Sequence, residues 1–200
     1  MGGRRHGGAR GRRLIRALIV AGALALAAGA YWALEGEPDW YLRARYPLAH
    51  EHVLRGHAAS YGLDPALLAA VVYVESRFRA DARSPAGAVG LMQLLPETAR
   101  GIAVRTGGTR FVLSDLLDPE LNVRYGSWYL DHLRDRYRSL RLALAAYHAG
   151  QGNVDRWRRE GRGIAFAETR EYVADVMRAR GVYARLYARE LGLRSRPRAG

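Results

Sequence analysis

Residues 14–34 form an apolar run interrupted only by Arg16, and from Ala17 to Leu34 no residue carries a charge. About 18 uncharged residues coil into a helix of about 27 Å, close to the hydrocarbon thickness of a bilayer. Ahead of it, residues 1–13 are rich in Gly and Arg, with Arg4, Arg5, Arg10, Arg12 and Arg13; behind it come Glu35 and Glu37. A basic flank before and an acidic one after orient the N-terminus to the cytoplasm. A cleaved signal peptide is the competing reading, because Ala28-Gly29-Ala30 has the small-x-small form of a cleavage site. The length of the run favours a retained single-pass anchor in the cytoplasmic membrane. On either reading the rest of the chain is exported.

With 49% apolar and 10% aromatic residues, a chain of 200 residues can bury the core of one domain. A net charge of +13 calls for a polyanionic neighbour: nucleic acid, an anionic membrane surface or an acidic wall polymer. The 32 basic residues are all Arg, without interleaved base-reading motifs, which reads as the composition of a GC-rich genome and predicts no nucleic-acid partner. The absence of Cys excludes disulfides, thiolate metal sites and a Cys nucleophile. The six His lack metal-type spacing; His50 and His52, two apart, point to different sides of a helix. No metal and no cofactor is expected.

A linker over residues 35–46 leads into a domain over residues 47–191, and residues 192–200, with Arg194, Arg196 and Arg198 around Pro197, form a basic, frayed tail. The domain has no strand-like alternation and no repeat at solenoid periods, so an all-α fold is expected. Asp64-Pro65 sets an N-cap before a proline at the first helical position. Asp118-Pro119 repeats the device before a longer helix reaching about Tyr137, and Pro96-Glu97-Thr98 opens another. Residues 141–148 and 153–158 form two closely spaced helical pieces, parted at Gly150. Thr169 is the expected N-cap of a last helix that runs to about Leu191 and is loosened at Gly181.

In the helix opened by Asp64, the positions Leu68, Val71, Val72 and Glu75 follow an i, i+3, i+4, i+7 pattern, so the carboxylate rides on the apolar stripe and faces inward. It also sits in the last turn, where the helix dipole disfavours a negative charge. Both effects favour the neutral acid and predict a raised pKa, the property of a general acid working near neutral pH. The alternative is a structural role, with Glu75 paired to Arg77 or Arg79. No second carboxylate offers itself: Asp64 is a cap, Asp81 lies on a loop among arginines, and Glu97 falls in the first turn of a helix.

From Glu75 the chain reads Glu75-Ser76; then, nine positions on, Ser84-Pro85-Ala86-Gly87-Ala88-Val89-Gly90-Leu91-Met92-Gln93, followed by Pro96-Glu97-Thr98; then Ala146-Tyr147-His148-Ala149-Gly150; and finally Glu168-Thr169-Arg170-Glu171-Tyr172. Over about residues 46–187 this resembles the soluble lytic transglycosylase (SLT domain) family of the lysozyme-like superfamily. That family carries, in this order, a Glu-Ser pair, Ser-x-x-Gly-x-x-Gly-Leu-Met-Gln, Ala-Tyr-Asn-Ala-Gly and Glu-Thr-x-x-Tyr. His148 stands where the family usually shows Asn, a larger and titratable replacement. Glu171 also stands where Asn is common.

The resemblance implies an all-α, lysozyme-like domain, here preceded by one N-terminal transmembrane helix, with a cleft for glycan strands of alternating N-acetylmuramic acid and N-acetylglucosamine. It implies Glu75 as the catalytic acid/base. Ser84, Met92, Gln93, Thr98, Tyr147, His148 and Tyr172 would bind substrate, Tyr147 lying near the carboxyl and Tyr172 contributing its hydroxyl from the last helix. The implied reaction is lytic transglycosylation of peptidoglycan, which leaves 1,6-anhydro-N-acetylmuramic acid ends and uses no water. A lysozyme-type muramidase on the same fold and a peptidoglycan-binding module without catalysis are the alternatives; Glu75, Gln93 and Tyr147 together weigh against the module. The expected partners are glycan strands and, through the N-terminal helix, the membrane, and the chain is expected to act as a monomer on the extracytoplasmic side.

Overall fold

The computed structural model describes residues 8–35, 37–108 and 110–193. The expected basic segments lie partly outside these, at residues 1–7 and 194–200. The chain divides into two compact units, residues 1–45 and 46–200.

The first unit holds α1 (Gly8–Glu35) and α2 (Asp39–Arg45). Within α1, Gly11–Tyr31 is long and apolar enough to cross a membrane by length and composition. Its side chains look outward, Leu18 at 70% and Leu26 at 78% exposure. Beyond Arg12, Arg13 and Arg16 its residues are apolar or small on all sides, the composition that a bilayer-spanning helix requires. The segment read as a plain linker carries α2, with Asp39 in its first turn and Arg43 and Arg45 in its last, charges that complement the helix dipole. Seven residues are too few to display a period, which is why the pattern does not announce this helix.

The second unit contains α3 (Glu51–Ser60), α4 (Pro65–Ser76), α5 (Pro96–Arg105), a 3-10 turn (Leu113–Leu117), α6 (Pro119–Tyr137), α7 (Leu140–Ala149), α8 (Gln151–Arg159) and α9 (Ala167–Leu186). Among the described residues there is no strand; two isolated bridges, Arg83 with Val89 and Val89 with Leu94, pin the long loop between α4 and α5.

Helix α4 is the axis of this unit. Leu67, Leu68, Ala69, Ala70, Val71 and Val72 are all buried, so the helix is enclosed on every side and not along one stripe alone. α9 runs along it and α3 packs beside it. Asp64 does two jobs at its start. One carboxylate oxygen accepts the Ala66 N–H at 2.9 Å as an N-cap, and the other accepts from Arg180 Nε of α9 at 2.6 Å. A second cluster, with Val89, Leu94, Ile102, Leu116 and Tyr125, underlies the α4–α5 loop and gives that loop a core of its own.

Helix α9 departs from the expectation at both ends. Its N-cap position is Phe166, and Thr169 lies inside the first turn. The entry is set upstream by Phe166 packed edge-on against Trp157, with ring centroids 4.9 Å apart, and by Arg170 Nη1 donating to the carbonyls of Ile164 and Ala165. The helix passes Gly181 without a break and ends at Leu186, five residues short of Leu191. There the hydroxyls of Tyr183 and Tyr187 donate to the carbonyls of Pro47 and Tyr46, at 2.8 and 2.9 Å, tying the domain's last helix to its first residues.

Candidate active site

Glu75 occupies the last turn of α4, at the mouth of a helix that is otherwise enclosed. The chain leaves this helix through two consecutive left-handed residues, Arg77 with φ 54° and Phe78 with φ 63°. The arginines that might neutralise Glu75 are engaged elsewhere. Arg77 bonds the Tyr73 hydroxyl and lies 4.3 Å over the Tyr73 ring, and Arg79 Nε donates to the Ser76 carbonyl at 3.3 Å. Instead, Glu75 Oε1 accepts from the Tyr172 hydroxyl at 2.7 Å. Burial pushes the Glu75 carboxyl up to about 7, against a smaller downward pull from that hydrogen bond. Near neutral pH such a group holds its proton about half the time, and it can both give and take one.

The loop over residues 79–95 is a built structure. Ser84 closes a turn, its hydroxyl accepting the Ala88 N–H at 3.1 Å and its carbonyl the Gly87 N–H at 2.9 Å. Gln93 takes a left-handed conformation, φ 47°, and its amide nitrogen donates to the carbonyls of Ala82 and Gly90 at 3.1 and 2.9 Å. Among the described residues, the carbonyl end of that side chain has no partner. Met92 is wholly buried; what it offers the site is its backbone carbonyl, which accepts from the Tyr147 hydroxyl at 2.8 Å. Gly90 has φ 84°, and a Cβ there would stand 2.7 Å from Cγ of Asn122, so both the backbone and the space require glycine.

Sequence reasoning did not single out Asn122, yet this buried side chain on α6 holds the loop in place. It accepts from Met92 N at 2.7 Å and donates to the carbonyls of Val89 and Leu116, both at 2.9 Å. One turn later Gly126 lets the Met92 side chain lie directly on α6, where a Cβ would come within 2.8 Å of its Cε. The available signal was an Asn and a Gly on the same stripe as Tyr129 and Leu133, since buried polar and small residues on an apolar face mark a close approach.

Helices α7 and α9 supply the far wall. Tyr147 and Tyr172 are both raised well above the usual tyrosine range, first by burial and next by the negative charge of Glu75, which places both hydroxyls in its field. His148 stacks on Tyr172 with ring centroids 4.5 Å apart, and its Nδ1 lies 3.1 Å from Thr169 Oγ1. A cavity of 190 Å³ opens here, with Gln93, Thr98, Tyr129, Tyr147 and His148 among its walls. Thr98 and Tyr129 also border an adjoining 430 Å³ groove containing Trp128 and His132, whose rings stack 5.3 Å apart. A 610 Å³ cavity elsewhere, between Arg55, Leu63 and Leu191, touches none of the motif residues; chemistry, not size, locates the site. The geometry therefore gathers Glu75, Met92, Gln93, Thr98, Tyr147, His148 and Tyr172, and sets Ser84 in the turn that shapes the loop.

The chain is similar to known lytic transglycosylases. The soluble lytic murein transglycosylase of Escherichia coli (strain K12) is 31% identical over 149 residues, covering 68% of this chain and 23% of that protein. The membrane-bound lytic murein transglycosylase F of Yersinia pestis (strain Pestoides F) is 34% identical over 113 residues, covering 53% of this chain and 21% of that protein. In structure, the chain is similar to an inactive Glu-to-Gln mutant of the lytic transglycosylase Slt of Pseudomonas aeruginosa, with a TM-score of 0.66 and 36% identity over 72% of this chain and 25% of that one. The chain thus spans about a quarter of the length of the relatives it matches. Its helical domain has the all-α, lysozyme-like fold of these proteins. The profile of the Transglycosylase SLT domain matches residues 53–168, more than half of the sequence, and the chain belongs to that family.

Proposed function

We propose that this domain cleaves the glycan strand of peptidoglycan by lytic transglycosylation, with Glu75 as first acid and then base. The observation that carries the reading is a single carboxyl held near pKa 7 at the end of a buried helix. Among the described residues, no carboxylate lines the 190 Å³ cavity and no second one contributes to that shift; Glu97 borders only the 430 Å³ groove beyond it. Glycosidases that use water or a covalent intermediate generally need two carboxylates. One suffices when the substrate supplies the nucleophile.

In the proposed sequence, protonated Glu75 gives its proton to the oxygen joining N-acetylmuramic acid to the next sugar, and the bond from C1 to that oxygen breaks. The carboxylate then takes the proton of the C6 hydroxyl as O6 bonds to C1. Glu75 ends as it began, the product is a 1,6-anhydro sugar, and no water enters. The acetamido oxygen of the substrate or oxocarbenium character at C1 carries the intermediate charge. A placed general acid contributes on the order of 10²- to 10⁴-fold, so positioning in the cleft must supply much of the remainder.

Gln93, Thr98, Tyr147 and His148 are proposed substrate contacts on the cavity wall, with Ser84 and Met92 acting through the loop that they shape. Tyr172 is assigned to Glu75 itself. The chain is read as a monomer held by α1 as a single-pass anchor, its N-terminus cytoplasmic and its domain on the extracytoplasmic side. The length and apolar surface of α1 support this, as does the membrane-bound character named for one relative.

Mass spectrometry of digested peptidoglycan tests the reaction. Fragments ending in anhydro-muramic acid, one water lighter than reducing ends, are expected from the parent, and none from Glu75→Gln. Reducing ends would assign a lysozyme-type hydrolase instead. Strand binding without any cleavage by the parent would leave only a binding module.

A further inference from the structure

We propose that His148 is a positioning residue, whose imidazole covers the ring of Tyr172 and so keeps water from the hydrogen bond between Tyr172 and Glu75. This rests on Glu75 being the acid and deepens that reading. His148 lies in the last turn of α7, and the residues that it meets lie on α9. Its ring lies against that of Tyr172 with centroids 4.5 Å apart and planes 27° apart. The ring is held in that pose by the Nδ1 contact of 3.1 Å to Thr169 Oγ1, one turn earlier on the same helix. Thr169 is fully buried and cannot follow a moving partner, so the imidazole is fixed from below while its outer edge faces solvent. Tyr172 in turn is left 6% exposed, and its hydroxyl reaches Glu75 at 2.7 Å. The line of contact is Thr169 to His148 to Tyr172 to Glu75; Thr169 and Tyr172 are buried, Glu75 is half-buried at its far end, and His148 is the exposed member that closes the Tyr172 side.

The consequence concerns solvation. The neutral acid is favoured at Glu75 by exclusion of water, and a cover that excludes water from Tyr172 sustains that exclusion. Stripping the cover hydrates the carboxylate and lowers its pKa, so the acid is lost at a lower pH. The titratable groups around the imidazole are Tyr147 beside it, Glu168 and Tyr172 on α9, and Tyr129 of α6 across the cavity. Burial holds His148 below the usual histidine range, against a weaker opposing pull from Glu168. The ring is therefore neutral where the loss of activity on the basic side is read, and its removal there deletes a cover and not a charge.

The test is the pH–rate profile of the full chain cleaving peptidoglycan strands, for the parent, His148→Ala and His148→Phe. His148→Ala is expected to move the basic limb of kcat down by about one pH unit. His148→Phe, which keeps a ring face over Tyr172 without the Thr169 contact, is expected to return most of that shift. A basic limb that stays in place in His148→Ala, with only KM altered, overturns the proposal and leaves His148 a sugar contact. A limb displaced equally in both variants overturns it as well, since a ring would then not be what matters. Failure of the underlying reading shows separately, as parent digests without anhydro ends or a Glu75→Gln variant that still cleaves.

Discussion

The Tyr172 hydroxyl donates to Glu75 Oε1 at 2.7 Å, joining the last helix of the domain to the end of its central one across 97 residues of sequence. Two opposed influences meet at that oxygen. Burial favours the neutral acid, the hydrogen bond favours the carboxylate, and burial is the larger, which leaves the group at about 7. A carboxyl in this position is poised for both halves of a proton shuttle, and the hydroxyl fixes which way it points.

Tyr172→Phe separates these effects. Removing the donor takes away the one influence that lowers the Glu75 pKa, so the basic limb of the pH–rate profile should move up, by as much as about one unit. Loss of a hydrogen bond to a charged group should also reduce kcat by about tenfold, through a carboxyl no longer held in place. A profile recorded from pH 5 to 9 checks both, and a limb that moves down would contradict the assignment of Tyr172 as donor.

Glu75 should also set how stability depends on pH. Its folded pKa is raised from 4.5 to about 7, so folding favours the protonated form. That contribution is fully present below the unfolded value and is lost as pH rises through the folded one, a span worth up to about 3 kcal/mol. Glu75→Gln keeps a neutral group at all pH. Its thermal midpoint should exceed that of the parent by several degrees at pH 8, and the two should converge near pH 4. Calorimetry at the two pH values decides it, and equal midpoints at pH 8 would show that Glu75 is not desolvated.

Much of this was legible in the sequence because it is written in local chemistry. Asp64 and Asp118, each before a proline, mark the starts of α4 and α6 where the structure has them, since a side-chain oxygen two or three residues from a free N–H is a local device. The inward setting of Glu75 followed from helical period. Where several long-range contacts compete, the local signal misled: Thr169 has the chemistry of an N-cap, yet Phe166 on Trp157 starts the helix earlier and the Thr169 hydroxyl turns to His148. The partners of Gln93 and the clamp at Asn122 were illegible for a related reason. The first depend on which carbonyls the loop turns in on itself and the second on which groups it turns toward a helix 30 residues away, and no period in the sequence encodes either.

Asn122 is accordingly expected to matter more than a residue outside any motif ordinarily would. Asn122→Ala leaves the Met92 N–H and the Leu116 carbonyl buried without the partner they have here, and takes one of two donors from the Val89 carbonyl, which keeps the Leu94 N–H. At about 1 kcal/mol or more for each of the two orphaned groups, the domain should lose about 2 kcal/mol, or about 6 °C of thermal midpoint. Activity should fall by at least about tenfold even at temperatures where the variant is folded, because the loop that carries Gln93 loses its anchor to α6. Urea titration gives the first quantity and cleavage at low temperature the second. A stable but inactive variant would show that the clamp serves the site alone.

Gly126 gives a sharper test, because its effect is predicted to depend on a single partner. A Cβ at this position comes within 2.8 Å of Met92 Cε and 2.9 Å of Met92 Cβ, on a helix whose backbone cannot retreat from the core. Gly126→Ala must therefore displace Met92, whose carbonyl is the acceptor for Tyr147, and overpacking of this kind destabilises by about 1–3 kcal/mol. Met92→Ala alone opens a cavity and destabilises by about 2–5 kcal/mol. If the clash is with the outer part of that side chain, the double variant should be more stable than the sum of the two losses allows, by about 1 kcal/mol or more, since the new methyl then fills space that the thioether end of Met92 has left and meets only the Cβ of residue 92. Strict additivity would place the strain elsewhere on α6. Recovery of stability without recovery of cleavage would mean that the Met92 side chain does more than fill volume: it sets the height at which its own carbonyl meets the Tyr147 hydroxyl, and through it the wall of the cavity beside Glu75.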